Sequence, residues 1–114
     1  MKKRISFESI QQYASASKDA ADIHLDAEAA ACAGFKRPIA HGMYIMGLAQ
    51  SLYIQAHPEQ WITSYELRFS NPLYVESEVE FEFEVAADYI LVKVTGEDGE
   101  MIASGTMSVK ERQS

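Results

Sequence analysis

Two ionisable side chains in the first quarter of the chain have the types and spacing of an acid–base pair. Asp19 and His24 lie five positions apart in the segment DAADIH, which has no regular hydrophobic period. Further along, the step His41-Gly42 opens the most hydrophobic helical run of the chain. An acid and a base beside a helix N-terminus, whose N–H groups are free to donate, suit chemistry on a carbonyl compound.

The helical run Gly42–Ala56 is the element that must position this chemistry. It contains no charged residue, and Pro58 predicts its end. Because apolar residues lie on all its sides, we expect the helix to be buried on most of them. Its length of about 22 Å is too short to cross a bilayer and suits the centre of a small domain. A sheet must therefore curl round it, or a second subunit must cover it.

After the helix the hydrophobic period changes to two, which predicts an antiparallel meander of about four strands. The clearest run is residues 78–85, where four apolar side chains alternate with four glutamates. Its predicted inward side chains are Val79, Phe81, Phe83 and Val85. The other predicted strands are residues 65–69, 89–95 and 100–110. The turn GEDG at 96–99 indicates a hairpin, and Gly105 indicates a bulge or bend.

The N-terminal part reads as short elements. Residues 2–6 suggest a leading strand or extended arm, residues 7–16 a short amphipathic helix, and residues 17–25 an irregular segment. Asp26 is a predicted N-cap for a small-residue helix that Gly34 closes. Cys32, the only cysteine, excludes an intramolecular disulfide and reads as a buried structural thiol.

Composition limits the classes of partner. The net charge of −7, from 17 acidic and 10 basic residues, argues against nucleic acid. No run of 18 apolar residues or signal-peptide pattern is present, so we expect a cytoplasmic protein without membrane contact. No metal site is predicted. Lys36 and Arg37 form a basic cluster that could serve a small anionic ligand.

These elements predict one α+β domain over residues 1–114. A long buried helix wrapped by a curved antiparallel sheet is the hotdog architecture. A single hotdog leaves part of its helix uncovered, so the prediction includes at least a dimer.

The stretch SKDAADIHLDAEAAACAGFKRPIAHGMYIMGL resembles the signature of the MaoC-like hotdog family, which includes the (R)-specific enoyl-CoA hydratases. That family carries Ser-Gly-Asp-x-Asn-Pro-x-His-x-Asp, followed by Pro-x-x-His-Gly-Met at the start of the hotdog helix. The matching residues here are Ser17, Asp19, His24, Asp26, Gly34, Pro38, His41, Gly42 and Met43. The chain departs from the pattern at Lys18, Ala21 and Asp22, where the family has Gly, Asn and Pro.

The resemblance implies reversible hydration of trans-2-enoyl thioesters of CoA or acyl-carrier protein to (R)-3-hydroxyacyl thioesters. Asp19 and His24 would activate water, and the Gly42 N–H would donate to the thioester oxygen. The thioester is the substrate and no cofactor is implied. The implied substrate-binding residues are His41, Met43, Gln50, Ser51, Lys36 and Arg37. The implied assembly is a homodimer.

Three other readings stay open. Asp19 and His24 could form a loop salt bridge that only stiffens the segment. The changes at Ala21 and Asp22 would also suit a non-catalytic acyl-thioester-binding or partner subunit of a hotdog heterodimer. An acyl-CoA thioesterase would need a carboxylate on the central helix, and residues 42–56 contain none.

Overall fold

The longest helix of the protein lies against an antiparallel sheet in a computed structural model that describes residues 1–112. The helices are α1 (Phe7–Ser17), α2 (Asp22–Leu25), α3 (Ala27–Cys32) and α4 (Gly42–Ala56). The strands are β1 (Lys2–Ile5), β2 (Gln60–Phe69), β3 (Ser77–Val85), β4 (Ile90–Gly96) and β5 (Met101–Glu111). The bounds of α4 confirm the predicted helix, and no helix within the described residues is long and apolar enough to cross a membrane.

All five strands join one antiparallel sheet in the order β1-β3-β4-β5-β2. The leading segment is therefore a strand, as predicted, and it pairs with β3. The GEDG hairpin is confirmed, since Gly96 N–H donates to the Glu100 carbonyl at 2.9 Å and Gly99 has a φ of 80°. The strand that follows α4, β2, lies at the far edge of the sheet beside β5.

One side of α4 supplies the centre of the core. Its buried residues are Ile45, Ala49, Leu52 and Tyr53. Each large aliphatic side chain buried there contributes about 1.5–3 kcal/mol to the free energy of unfolding. The Tyr65 hydroxyl of β2 also donates to the Met46 carbonyl at 3.1 Å. Burial raises the pKa of Tyr65 to about 12, so this donor keeps its proton over the physiological pH range.

Helix α1 is fixed at its start by two side chains. The Ser6 hydroxyl caps it by accepting from the Ser9 N–H at 3.1 Å. The Glu76 carboxylate accepts from the Phe7 N–H at 2.7 Å and also binds Arg4. The Phe7 hydrogen bond and then Arg4 lower the pKa of Glu76 below its usual range. These contacts set the direction of α1, whose far end leads directly into the candidate site.

The prediction that α4 is buried on most sides is wrong for the single chain. Met43 is 66% exposed, and Gly47, Gln50 and Ser51 are also exposed along the same side of the helix. The sheet covers only the opposite side.

Three further predictions, on the segment 17–25, Cys32 and Val85, are also wrong. The segment 17–25 is partly helical, because α1 extends to Ser17 and α2 begins at Asp22. Cys32 is exposed, since α3 buries only Ala30. Val85 is 80% exposed, because β3 runs past the end of the core before its turn into β4.

Gly105 is not at a bulge. It pairs in regular register with Leu67 and Val92, and the register shifts lie elsewhere in the sheet. Its lack of a side chain allows β2 to approach closely: a Cβ atom at this position would lie 1.9 Å from the Glu66 carbonyl oxygen. Backbone atoms of a paired strand cannot move away without breaking the β2–β5 ladder.

We expect Gly105→Ala to lower the free energy of unfolding by about 3 kcal/mol, since it forces one extra methyl group into this contact. Urea unfolding followed by circular dichroism measures the loss. Ser104→Thr adds one methyl group to the exposed neighbour and should change stability by less than about 0.5 kcal/mol. Equal stability of the two variants would contradict the close-approach explanation.

Candidate active site

Asp19 lies in a turn whose main chain is held by two side chains, those of Ser17 and His41. Lys18 ends α1 in the left-handed conformation, with a φ of 62°. The Asp19 N–H then donates to the Ser17 hydroxyl at 3.2 Å, and its carbonyl accepts from His41 Nε2 at 2.8 Å. The side chain remains exposed. The carboxylate therefore sits on a held main chain with access to solvent or substrate.

His24 is buried within the short helix α2, with 8% of its surface exposed. Its Nδ1 lies 2.7 Å from the Ile39 carbonyl oxygen, and the Ile39 N–H in turn donates to the Ile23 carbonyl at 3.1 Å. A carbonyl only accepts, so Nδ1 carries a proton. In the neutral ring Nε2 is then an acceptor, which is the state that a general base requires.

His41 is the N-cap residue of α4 and is only 2% exposed. Its ring stacks on that of His24, with centroids 3.7 Å apart and planes 20° from parallel. The ring of Tyr13 meets it edge-on, with centroids 4.8 Å apart. His41 Nδ1 is buried and has no hydrogen-bond partner among the described residues.

The predicted residues Asp19, His24, His41 and Gly42 come together at the start of α4. One carboxylate oxygen of Asp19 and one ring nitrogen from each histidine lie within 4.8 Å of one another. Such a cluster could suggest a metal. However, two nearly parallel stacked rings direct their in-plane lone pairs side by side, whereas ligands of one ion must converge on it. The arrangement suits proton transfer better than metal binding.

A groove of about 400 Å³ reaches this cluster and includes His24 and Gly42 in its wall. Its other lining residues are Phe35, Ile39, Ala40, Ile45, Phe69, Ser70, Asn71, Pro72 and Leu73. The lining is mostly apolar. Gly42 is the first residue of α4, so its N–H has no partner within the helix. The groove thus has a mostly apolar wall that includes His24 and the first residue of α4.

The structure places the remaining predicted site residues on other surfaces of the chain. Met43, Gln50 and Ser51 lie on the exposed side of α4. Lys36 and Arg37 line a separate cavity of about 240 Å³. There Arg37 donates to the Val75 carbonyl at 2.8 Å. A role of these five residues in substrate binding stays a prediction.

Several parts of the site carry no signal in the sequence. The Ile39 carbonyl orients His24, and every residue has a carbonyl. Tyr13 reads as one of the apolar positions of α1, and its contact with His41 depends on how the helix packs. Phe69 follows the alternation of β2, but it lies over the start of α4: a Cβ at Gly42 would meet its ring at 3.5 Å.

A family model described as "MaoC like domain" matches residues 2–109. The chain belongs to this family. The (R)-specific enoyl-CoA hydratase of Aeromonas caviae is 35% identical over 89 residues, which is 76% of this chain and 66% of that protein. The mitochondrial 3-hydroxyacyl-acyl-carrier-protein dehydratase of Arabidopsis thaliana is 32% identical over 65% of this chain and 45% of its own. The matched region thus covers only part of each relative.

Solved structures give the same grouping and confirm the predicted α+β hotdog fold. The (R)-hydratase of A. caviae superposes with a TM-score of 0.86 at 28% identity, over 97% of this chain and 91% of that one. The ChsH1-ChsH2 complex of Mycobacterium tuberculosis gives 0.81 at 28% identity, over 98% and 92%.

The structure shows what the family's residues would contribute at two of the positions where this chain departs from the MaoC-like pattern. Lys18 occupies a left-handed position, where the family pattern has glycine and where glycine has no steric cost. Ala21 is the N-cap residue of α2 and makes no side-chain cap hydrogen bond. The family's asparagine at this position is one of the best N-cap residues. The chain thus lacks a side-chain cap on α2, the helix that carries His24.

We expect Ala21→Asn to raise the free energy of unfolding by about 1 kcal/mol, because the amide oxygen can accept from the open N–H groups of α2. Thermal unfolding measures the gain. Ala20→Asn introduces the same side chain one residue earlier, where no helix starts, and should give no gain. Equal effects of the two substitutions would contradict the capping explanation.

Proposed function

We propose that this MaoC-like protein hydrates trans-2-enoyl thioesters reversibly to (R)-3-hydroxyacyl thioesters. The observation that carries the proposal is the state of His24. Its Nδ1 donates to the Ile39 carbonyl, so Nε2 is the acceptor of the neutral ring. His24 lines the groove, and one of its ring nitrogens lies within 4.8 Å of an Asp19 carboxylate oxygen. The hydratase and dehydratase relatives, which share this family, support the same chemistry.

The two side chains have complementary roles in the proposed step. His24 Nε2 takes a proton from a water molecule that Asp19 helps to hold. The water oxygen bonds to C3 of the enoyl group, and the electron pair of the C2=C3 bond moves to form an enolate. A proton returned from the pair to C2 completes the addition, so the elements of one water molecule are added to one face.

The enolate places negative charge on the thioester oxygen, and the start of α4 can stabilise it. The Gly42 N–H has no hydrogen-bond partner among residues 1–112 and lies at the positive end of the helix dipole. A donor of this kind lowers the transition-state free energy by about 3 kcal/mol. The apolar part of the groove suits the acyl chain, and either CoA or acyl-carrier protein can carry the thioester.

The functional unit in this proposal is a homodimer. The exposed side of α4 has no charge and includes Met43, Gly47, Gln50 and Ser51. The proposed oxyanion donor, the Gly42 N–H, belongs to the same helix. A second copy packed over it would remove this surface from water. It would also bring Gln50 and Ser51 into a buried environment, where their polar groups need partners.

A second candidate is a partner subunit in a hotdog heterodimer, and the uncapped α2 at Ala21 favours it. One structural neighbour is the ChsH1-ChsH2 complex, which contains two different named components. Such a subunit would bind the acyl thioester without carrying out the addition. Activity of the purified chain alone separates the two candidates.

We expect the purified chain to hydrate crotonyl-CoA or a longer enoyl-CoA. The reaction is measured by the loss of absorbance of the conjugated thioester. Asp19→Asn and His24→Ala should each lower kcat by a factor of roughly 10² or more, because each removes one proton-transfer group. Asp22→Asn is the control, since Asp22 is exposed and lies in the same loop. Hydration that survives loss of both Asp19 and His24 would refute the proposed roles.

Gly42→Pro tests the backbone donor without removing the helix. Proline is favoured at the first helical position, and His41 has the extended conformation that a following proline needs, with φ −67° and ψ 138°. We expect kcat/KM to fall by roughly 10²–10³-fold, because the N–H is lost. Gly42→Ala keeps the N–H and places its methyl group in ordinary contact with Phe69, so it should stay within about 3-fold of wild type. Equal activity of the two variants would exclude Gly42 as the donor.

A further inference from the structure

His41 contacts both members of the proposed catalytic pair, although it does not line the groove that would hold substrate. The groove wall includes His24 and Gly42, but neither His41 nor Asp19. His41 is buried, with 2% of its surface exposed. A histidine buried at this level without a charged partner calls for an explanation other than proton transfer to substrate.

The first contact fixes the main chain of Asp19. His41 Nε2 lies 2.8 Å from the Asp19 carbonyl oxygen, and because that oxygen only accepts, Nε2 carries the proton. The only other hydrogen bond on this residue within the described part of the chain runs from its N–H to the Ser17 hydroxyl at 3.2 Å, which is a longer bond. The carboxylate itself is exposed. The His41 bond is therefore the stronger constraint on where that carboxylate stands.

The second contact supports the ring of His24 from behind. The two rings stack with their centroids 3.7 Å apart, and the ring of Tyr13 packs edge-on against His41 with a centroid distance of 4.8 Å. His24 is held in its plane by the Ile39 carbonyl and perpendicular to its plane by His41. One side chain at the N-cap of α4 thus sets the position of both groups relative to the helix that offers the oxyanion donor.

We propose that His41 is a positioning residue that holds Asp19 through its Nε2–H and His24 through its ring face, a role that rests on the proposed hydratase function. The two contacts use different properties of the side chain. Gln places an N–H donor at a similar distance from the backbone but has no ring. Phe keeps a ring for the stack but has no donor. The two substitutions therefore separate the two contacts.

Phe at position 41 is compatible with the fold. It removes one hydrogen bond, but it also removes the buried Nδ1 that has no partner, so the two effects on stability oppose each other. Thermal unfolding of both variants checks that the protein remains folded.

The first readout does not require activity. In NMR relaxation of the wild type, the N–H groups of Asp19 and Ala20 should have order parameters near 0.85, which is the rigid-backbone value. His41→Phe should lower them to about 0.6, whereas His41→Gln should retain them and Val94 of the core should be unchanged in both. No loosening in either variant, or equal loosening in both, overturns the proposal.

A measurement on the wild type alone covers the case in which His41→Phe does not fold. Nitrogen-15 spectra of the imidazole rings distinguish the two neutral tautomers. We expect the proton on Nε2 in His41 and on Nδ1 in His24, the opposite arrangement in two stacked rings. A proton on Nδ1 of His41 is incompatible with donation to Asp19 and overturns the proposal.

The kinetic readout connects the contact with the reaction. His41→Phe should lower kcat by roughly 10–100-fold with little change in KM, because a displaced carboxylate affects the reacting geometry more than binding. His41→Gln keeps the donor to Asp19 but lacks the ring that stacks on His24, so it should recover only part of that loss. In an Asp19→Asn background, His41→Phe should cause less than about 2-fold further loss, since the group that it positions is already absent.

The outcomes also separate this proposal from the proposed function. If the wild type hydrates no enoyl thioester but the loop loosens only in His41→Phe, the positioning stands and the hydratase function fails. If the wild type is active and the losses from Asp19→Asn and His41→Phe multiply in the double variant, the function stands and the positioning role fails.

Discussion

Burial of the apolar side of helix α4 is the interaction on which most of the structure depends. No residue of Gly42–Ala56 carries a charge, so packing rather than ion pairs holds the helix in place. The sheet covers one side, where Ile45, Ala49 and Leu52 are buried. This packing fixes the start of the helix at a definite place in the fold. The orphan N–H of Gly42 and the N-cap His41 are therefore fixed as well, before any contact of the loop is considered.

The loop that carries Asp19 and His24 is attached to this fixed point by hydrogen bonds between histidine side chains and main-chain carbonyls. His24 binds the Ile39 carbonyl, and the Asp19 carbonyl binds His41. Both Ile39 and His41 belong to the chain that leads into α4. The proposed catalytic pair thus takes its position from the start of the helix rather than from its own short elements, α2 and the turn at Lys18.

Sequence reasoning succeeded where one local signal dominates. The absence of charge and Pro58 defined α4, Asp26 capped α3 as predicted, and the alternation in 78–85 identified β3. It failed where the answer depends on packing. Val85 continues the alternation but lies beyond the core, and Cys32 has small apolar neighbours but sits on a helix that buries one residue.

The candidate site divides in the same way. Asp19, His24, His41 and Gly42 were found from residue types and spacing, and the structure brings them together. The contacts that orient them could not be predicted, because they use main-chain carbonyls. Gly105 is a related case: its sequence context suggests a bulge, while its real constraint is a paired backbone that only the sheet order reveals.

Because Asp19 and His24 are held by residues at the start of α4, the loop's departure from the family pattern has a limited effect on their positions. An asparagine at position 21 would stabilise α2 locally, and its replacement by alanine removes that support. However, the cap acts at the start of α2, whereas the tautomer of His24 is set by Ile39 and its ring is supported by His41. The absence of a cap costs about 1 kcal/mol of stability, but it does not alter which nitrogen of His24 donates to Ile39. Alanine at position 21 is therefore compatible with the proposed activity, in which the bond from His41 to Asp19 matters more than the residue that the family signature has there.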